Sequence, residues 1–228
     1  RDQPRSRGLG DVYKRQVRRM SSEVRKAMTI LYKVHNGLYV NLTNRCPCAC
    51  TFCERQTRDH VSEVNDAPLW LEHEPSVEEV IAEFEKTDVA PYEEIVFCGF
   101  GEPTERLDAL LEIAKYLKAH YDKPIRINTN GLGDLIWNED ITPKLAGLID
   151  TISISLNTPD AKRYQEIVRS KFGDGSFEAM LKFAKDAKRY VPKVVLSTVE
   201  TTITREEEAK CQAICDELGV TYRIRPFH

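Results

Sequence analysis

The sequence contains no apolar run near the roughly 18 residues that a membrane-spanning helix needs. A helical membrane protein is therefore not expected. The basic N-terminus is not followed by the apolar stretch of a secretory signal, so the expected compartment is the cytoplasm. Low-complexity linkers and short internal repeats are also missing, which leaves one domain, or at most two, for 228 residues. The five histidines, at positions 35, 60, 73, 120 and 228, show no ligand spacing. Metal chemistry, if present, must come from another residue type.

Cysteine offers it. There are seven, an odd number, and four of them crowd between residues 46 and 53. In a reducing compartment such a group points to metal binding rather than to disulfides. Apolar residues make up 41% of the chain, enough for a globular core.

Residues 1–27 stand apart. They are basic, poor in large apolar residues and without periodicity, and Asp11–Gln16 (DVYKRQ) reads like the in-frame translation of a sequencing adaptor. The expectation is that residues 1 to about 19 are an assembly artefact, that the natural start is Met20 or Met28, and that residues 28–228 form the domain. A basic arm for nucleic acid is the competing reading. The segment holds nine Lys/Arg and three Asp/Glu out of totals of 33 and 36, leaving 24 basic against 33 acidic residues, a net of −9. An acidic body argues against a general nucleic-acid surface.

From residue 28 onward, β-type runs alternate with helical patterns. Strands are expected at 37–43, 93–99, 124–131, 150–157, 193–202 and 220–227. Helices are expected at 75–86 with Ser76 as N-cap, 107–121, 141–148, 159–169, 176–190 and 205–219. The stretch 54–74 is weakly patterned and reads as a long loop. This rhythm implies parallel strands with right-handed crossovers. Six units are too few for an eight-unit barrel. The fold class is α/β, a partial (βα)6 TIM-like barrel, with a doubly wound sheet as the other solution. In both, chemistry sits at the C-terminal strand ends, and the unusual motifs fall there: the cysteines, GFGEP, NTNG and Asn157.

Read as C-x3-C-x2-C, Cys46, Cys50 and Cys53 place three thiolates in one loop. Four thiolates complete a [4Fe–4S] cluster, so three leave one iron open. Cys48 makes a second reading available, a closed tetrathiolate zinc site. A redox dithiol needs fewer thiols than are present.

The run LYVNLTNRCPCACTFC resembles the signature of the radical SAM superfamily, with Phe52 as the aromatic residue before the last cysteine. More narrowly, YKVHNGLYVNLTNRCPCACTFCERQT, CGFGEPT and ISISLNTPD resemble the small TatD-associated radical SAM proteins across essentially all of 28–228. The resemblance implies a [4Fe–4S] cluster on Cys46, Cys50 and Cys53, and S-adenosylmethionine as cofactor. It implies reductive cleavage to a 5′-deoxyadenosyl radical that takes hydrogen from a substrate not named by the motifs. An electron donor such as flavodoxin or ferredoxin, and a link to a TatD-family hydrolase, follow from the same source. Alternatives are a glycyl-radical-activating or 7-deazapurine-forming relative and, in another class, a structural zinc or electron-transfer protein.

The resemblance also assigns roles. Phe52 packs near the adenine. Gly99, Gly101 and Glu102 hold the methionine amino group, with Phe100 where a glycine is usual. Ser155 and Asn157 meet ribose and carboxylate oxygens, and Arg169 lies near the carboxylate; the amides of Asn128 and Asn130 can bind the same oxygens, or NTNG is simply an Asn-Gly turn. The strand pattern by itself puts Ser153, Ser155 and Asn157 on one face, and makes Glu200, Thr202, Arg223 and Arg225 candidates to face the barrel interior. Cys98 reads as a buried strand residue, Cys211 and Cys215 as helix packing. Trp70 either caps the site or packs against it.

Overall fold

A computed structural model describes residues 26–57 and 68–226. The adaptor-like reading of residues 1–25 and the central part of the expected 54–74 loop fall outside the described residues.

Among the described residues seven strands form one sheet in the order β1 to β7: Leu31–Val34, Gly37–Val40, Glu94–Phe97, Ile125–Thr129, Thr151–Ser155, Lys193–Val199 and Thr221–Arg225. β2 through β7 are parallel neighbours, as the β-α rhythm requires. β1 is an addition to the expected six. It pairs antiparallel with β2 across His35 and Asn36, and His35 takes a positive φ of 49° to close that hairpin. Because β1 and β7 are not neighbours, the sheet is an open partial barrel.

The helices are α1 Glu54–Thr57, α2 Val77–Lys86, α3 Leu107–His120, α4 Gly133–Trp137, α5 Ala161–Val168, α6 Ser176–Ala187 and α7 Arg205–Leu218. Ser76 caps α2 as expected, in a reciprocal box with Glu79. Two boundaries differ from the sequence reading. The expected helix at 141–148 is only a 3-10 turn, Thr142–Leu145, while α4 forms just before it. The strand expected to reach 202 stops at Val199.

One face of the sheet packs under the helices. Ile95, Phe97, Ile125, Ile127, Ile152, Ile154 and Leu196 meet Phe84, Leu110, Leu117, Met180 and Phe183 in a single buried cluster. Each such side chain contributes about 1.5–3 kcal/mol. The alternate positions, Arg126, Asn128, Thr151 and Ser153 among them, face the barrel interior. A second apolar group of Tyr32, Leu69 and Phe100 closes that interior near β1.

Candidate active site at the strand ends

The cysteine loop leaves the end of β2 and is pinned from two sides. On one, Asn44 exchanges hydrogen bonds with the backbone of Leu71, its Nδ2 donating to the carbonyl over 2.8 Å and its Oδ1 accepting from the N–H over 3.0 Å. Glu74 accepts from Thr43 Oγ1 and from Arg45 Nε. On the other side, the last turn of α5 offers carbonyls that no helical N–H can reach. Ala49 N–H donates to Val168 and Thr51 N–H to Ile167, at 3.1 and 2.9 Å, and Lys171 N–H returns to Pro47 over 2.9 Å. The helix end and the loop satisfy each other.

All seven cysteines are free thiols. Within the loop, Cys48 lies beside Cys46 and Cys50, and its proximity holds their thiols below the ordinary cysteine value. The Cys48 thiol is itself pushed far up by the same two contacts and by burial. Burial raises Cys53. Four cysteine sulfurs in one loop suit iron–sulfur ligation, in which each thiolate binds a different iron, and by donor type they also suit a tetrathiolate zinc ion.

The next strand end brings Gly99 to Glu102 against this loop. A Cβ on Gly101 would stand 2.2 Å from the Thr43 carbonyl oxygen and 2.7 Å from that of Arg45. On Gly99 it would meet Asn41 Oδ1 at 2.2 Å. Only glycine lets the two segments approach so closely. Phe100, the departure from the usual motif, turns away and meets Trp70 edge-on at 5.3 Å between centroids. Trp70 therefore packs, with Arg55 over its ring at 4.8 Å.

Glu102 is 4% exposed, and its carboxylate is occupied by the protein. Oε1 accepts from Thr104 N–H at 3.1 Å, Thr104 Oγ1 at 2.7 Å and Thr129 Oγ1 at 2.7 Å. Oε2 accepts from Asn130 N–H at 2.8 Å. Burial raises its pKa against these four bonds, which favour the charged form. Three of the four bonds fall on Oε1 and one on Oε2, so the remaining acceptor capacity is on Oε2. Thr104 and Thr129 are site residues that sequence reasoning passed over, although both stand inside the quoted motifs.

Asn130 completes the junction. Its Nδ2 lies 3.7 Å from Cys48 Sγ and 4.0 Å from Cys46 Sγ. Asn128 is engaged lower in the barrel, its Oδ1 accepting from Arg126 Nη1 at 3.0 Å. Asn157 is buried with positive φ, and its Oδ1 has no hydrogen-bond partner among the described residues. Ser155 is half-buried on β5, and Phe52 is half-buried in the loop. Arg169 is exposed, in a left-handed conformation directly after Val168, at the clamp on the cysteine loop.

Other candidates separate cleanly. Glu200 and Thr202 are not on a strand. They form the turn after β6, with Thr202 Oγ1 donating to the Val199 carbonyl over 2.6 Å and Glu200 exposed. Arg223 and Arg225 do share a face of β7. Burial pushes Cys211 up to about 11 and Cys215 up to about 12, as suits thiols buried in the core. No helix among the described residues is long and apolar enough to cross a membrane.

The chain is 30% identical over 140 residues to a probable GTP 3',8-cyclase of Methanocaldococcus jannaschii, covering 60% of this chain and 41% of that one. It is 28% identical over 172 residues to the probable GTP 3',8-cyclase of Pyrococcus horikoshii, covering 75% and 49%. It thus spans less than half the length of either relative. The fold is similar to that of Streptococcus suis SuiB bound to the precursor peptide SuiA, with a TM-score of 0.64 at 18% identity over 85% of this chain and 39% of SuiB. A family model matches residues 40–217, and with the cysteine loop and the strand-end motifs it makes this chain a member of the radical SAM superfamily.

Proposed function

We propose that this enzyme cleaves S-adenosylmethionine reductively and uses the resulting radical to take a hydrogen atom from a substrate. Cys46, Cys50 and Cys53 hold the cluster in this reading. A [4Fe–4S] cluster bound there supplies the electron that breaks the C5′–S bond, giving methionine and a 5′-deoxyadenosyl radical. The observation that carries the reading is Asn130, which bonds Glu102 through its backbone and faces Cys46 and Cys48 through its side chain. Three strand ends meet at one residue.

The chain's own groups then have defined tasks. Cys46, Cys50 and Cys53 serve as ligands, and Cys48 lies beside them outside the set. The spare lone pair of Glu102 Oε2 and the close backbone of Gly99 and Gly101 receive the methionine ammonium. The buried, unpartnered Oδ1 of Asn157 accepts from a ribose hydroxyl, with Ser155 and Asn128 on the same inner side. Phe52 covers the adenine, and Arg169 approaches the carboxylate. Burial of Glu102 and Asn157 keeps water from the radical.

Within the superfamily the motifs ally the chain with the TatD-associated proteins, with flavodoxin or ferredoxin as electron donor. The likeness to the two probable GTP 3',8-cyclases favours a second reading, a purine nucleotide as substrate. Anaerobic reconstitution, reduction and assay for 5′-deoxyadenosine test the main reading. A loaded protein, with about four irons and matching sulfide, that releases none defeats it. Loss of GTP in the same reaction decides the second.

A further inference from the structure

The inner face of the sheet carries more positive charge than its partners neutralise. Below the strand ends lies a cavity of about 290 Å³ lined by Glu94, Arg126, Ser153, Lys193 and Arg223, among others. Among the described residues Glu94 is its one carboxylate, and Arg126 takes it in a two-pronged pair, Nη2 to Oε1 at 2.6 Å and Nε to Oε2 at 3.1 Å. Tyr39 adds a hydrogen bond between its hydroxyl and Arg126 Nη2 at 3.2 Å. That pair is closed. Lys193 and Arg223 line the same cavity, and neither has an ion-pair partner among the described residues.

Arg225 extends this charge upward. It is two residues beyond Arg223 on β7, so it faces the same side about 7 Å nearer the strand ends. Its Nε is buried and has no hydrogen-bond partner among the described residues. Burial disfavours its charge most, the Cys98 thiol acts on it favourably, and Arg223 and Arg126 repel it; Glu54, at the start of α1, is the acidic group that reaches it. A buried guanidinium donor without an acceptor is costly. Two neighbouring arginines without a shared anion add to that cost. Nothing in the apolar core requires them, because that core lies on the opposite face of the sheet.

We propose that the inner side of β7 binds the anionic group of the substrate, a phosphate or a carboxylate, between Arg223, which lines the cavity, and Arg225, which stands above it. The planar guanidinium fork matches either anion in bidentate fashion. Lys193 adds charge at the floor. A substrate anchored there lies along β7 with its other end toward the cysteine loop and Glu102. The substrate class is therefore a small molecule with an anion at one end and the reacting C–H at the other. In a body of net negative charge, a confined basic cavity also concentrates anions at the one place they are used. What happens to that substrate rests on the radical reading above; where its charge is held does not.

Calorimetric titration of the full-length protein with inorganic phosphate, and separately with succinate, tests the assignment. One of the two is expected to bind, and Arg223→Gln to weaken it at least about tenfold. Arg223 is exposed, so this variant should fold. Arg225→Lys keeps the charge but loses the fork and should bind more weakly than wild type, yet better than Arg225→Gln. Binding of phosphate identifies a phosphorylated substrate, and binding of succinate a carboxylic acid. If neither binds, or both glutamine variants bind like wild type, the assignment fails. Cleavage of S-adenosylmethionine is scored separately on wild type. Cleavage without anion binding overturns the cavity assignment alone, and anion binding without cleavage overturns the proposed function alone.

Discussion

Asn130 donates its backbone N–H to Glu102 Oε2 over 2.8 Å while turning its side-chain amide to the cysteine thiols. One residue thereby fixes the carboxylate and the cysteine loop relative to each other. The carboxylate is needed as an acceptor on both oxygens, because the N–H groups of Thr104 and Asn130 cannot reverse direction. Glu102→Gln places an amide N–H₂ against one of them. It is expected to destabilise the fold by about 1–3 kcal/mol and to abolish 5′-deoxyadenosine formation. Urea denaturation and the cleavage assay check the two effects separately, and unchanged stability would show that the four bonds matter little.

Gly101 offers a steric test of the same junction. A methyl group there meets two backbone carbonyl oxygens at 2.2 and 2.7 Å, and backbone cannot rotate aside. Gly101→Ala should cost about 1–3 kcal/mol and push the cysteine loop away from Glu102. Iron content after reconstitution and the thermal midpoint report both. A variant that loads iron normally and melts with wild type would mean that the loop adapts freely.

The division among the four loop cysteines is testable by metal analysis. Replacing Cys46, Cys50 or Cys53 with alanine should abolish cluster loading. Cys48→Ala should retain about four irons per chain, since Cys48 stands outside the C-x3-C-x2-C spacing of the other three. Iron and sulfide determination with electron paramagnetic resonance of the reduced protein distinguishes the variants. Loss of the cluster in Cys48→Ala with retention in Cys53→Ala would reverse the ligand assignment.

Tyr164 gives a prediction of the opposite sign. Its ring is buried against Phe177, and its hydroxyl has no hydrogen-bond partner among the described residues. A polar group left unmet in the interior is a net cost. Tyr164→Phe should leave the stability of the metal-free protein unchanged or raise it by up to about 1 kcal/mol. A loss larger than that, read from urea denaturation, would reveal a bond to the hydroxyl.

Much of this architecture was legible because the informative signals are periodic or clustered. Strand and helix alternation gave the parallel order from β2 to β7, and the position of the cysteines, GFGEP and NTNG after successive strands gave the meeting point. β1 escaped because four residues joined to β2 by a two-residue turn carry too short a period to read. α4 escaped because Gly133–Trp137 is barely more than one turn, set between stronger punctuation. Glu200 and Thr202 were misplaced because the alternating pattern continues past the point where hydrogen bonding ends, and Thr201, at a φ of 67°, turns the chain there. Local sequence also cannot say which partners saturate a carboxylate. That Thr104 and Thr129 converge on Glu102 depends on two strands becoming neighbours.

The mutual satisfaction of α5 and the cysteine loop has a consequence for the order of assembly. The N–H groups of Ala49 and Thr51 find their acceptors on Val168 and Ile167, far downstream in the chain. During synthesis the N-terminal thiols emerge long before the helix that anchors them. Until α5 has emerged, the N–H groups of Ala49 and Thr51 lack these acceptors. Closure of the loop is a long-range event that waits on α5.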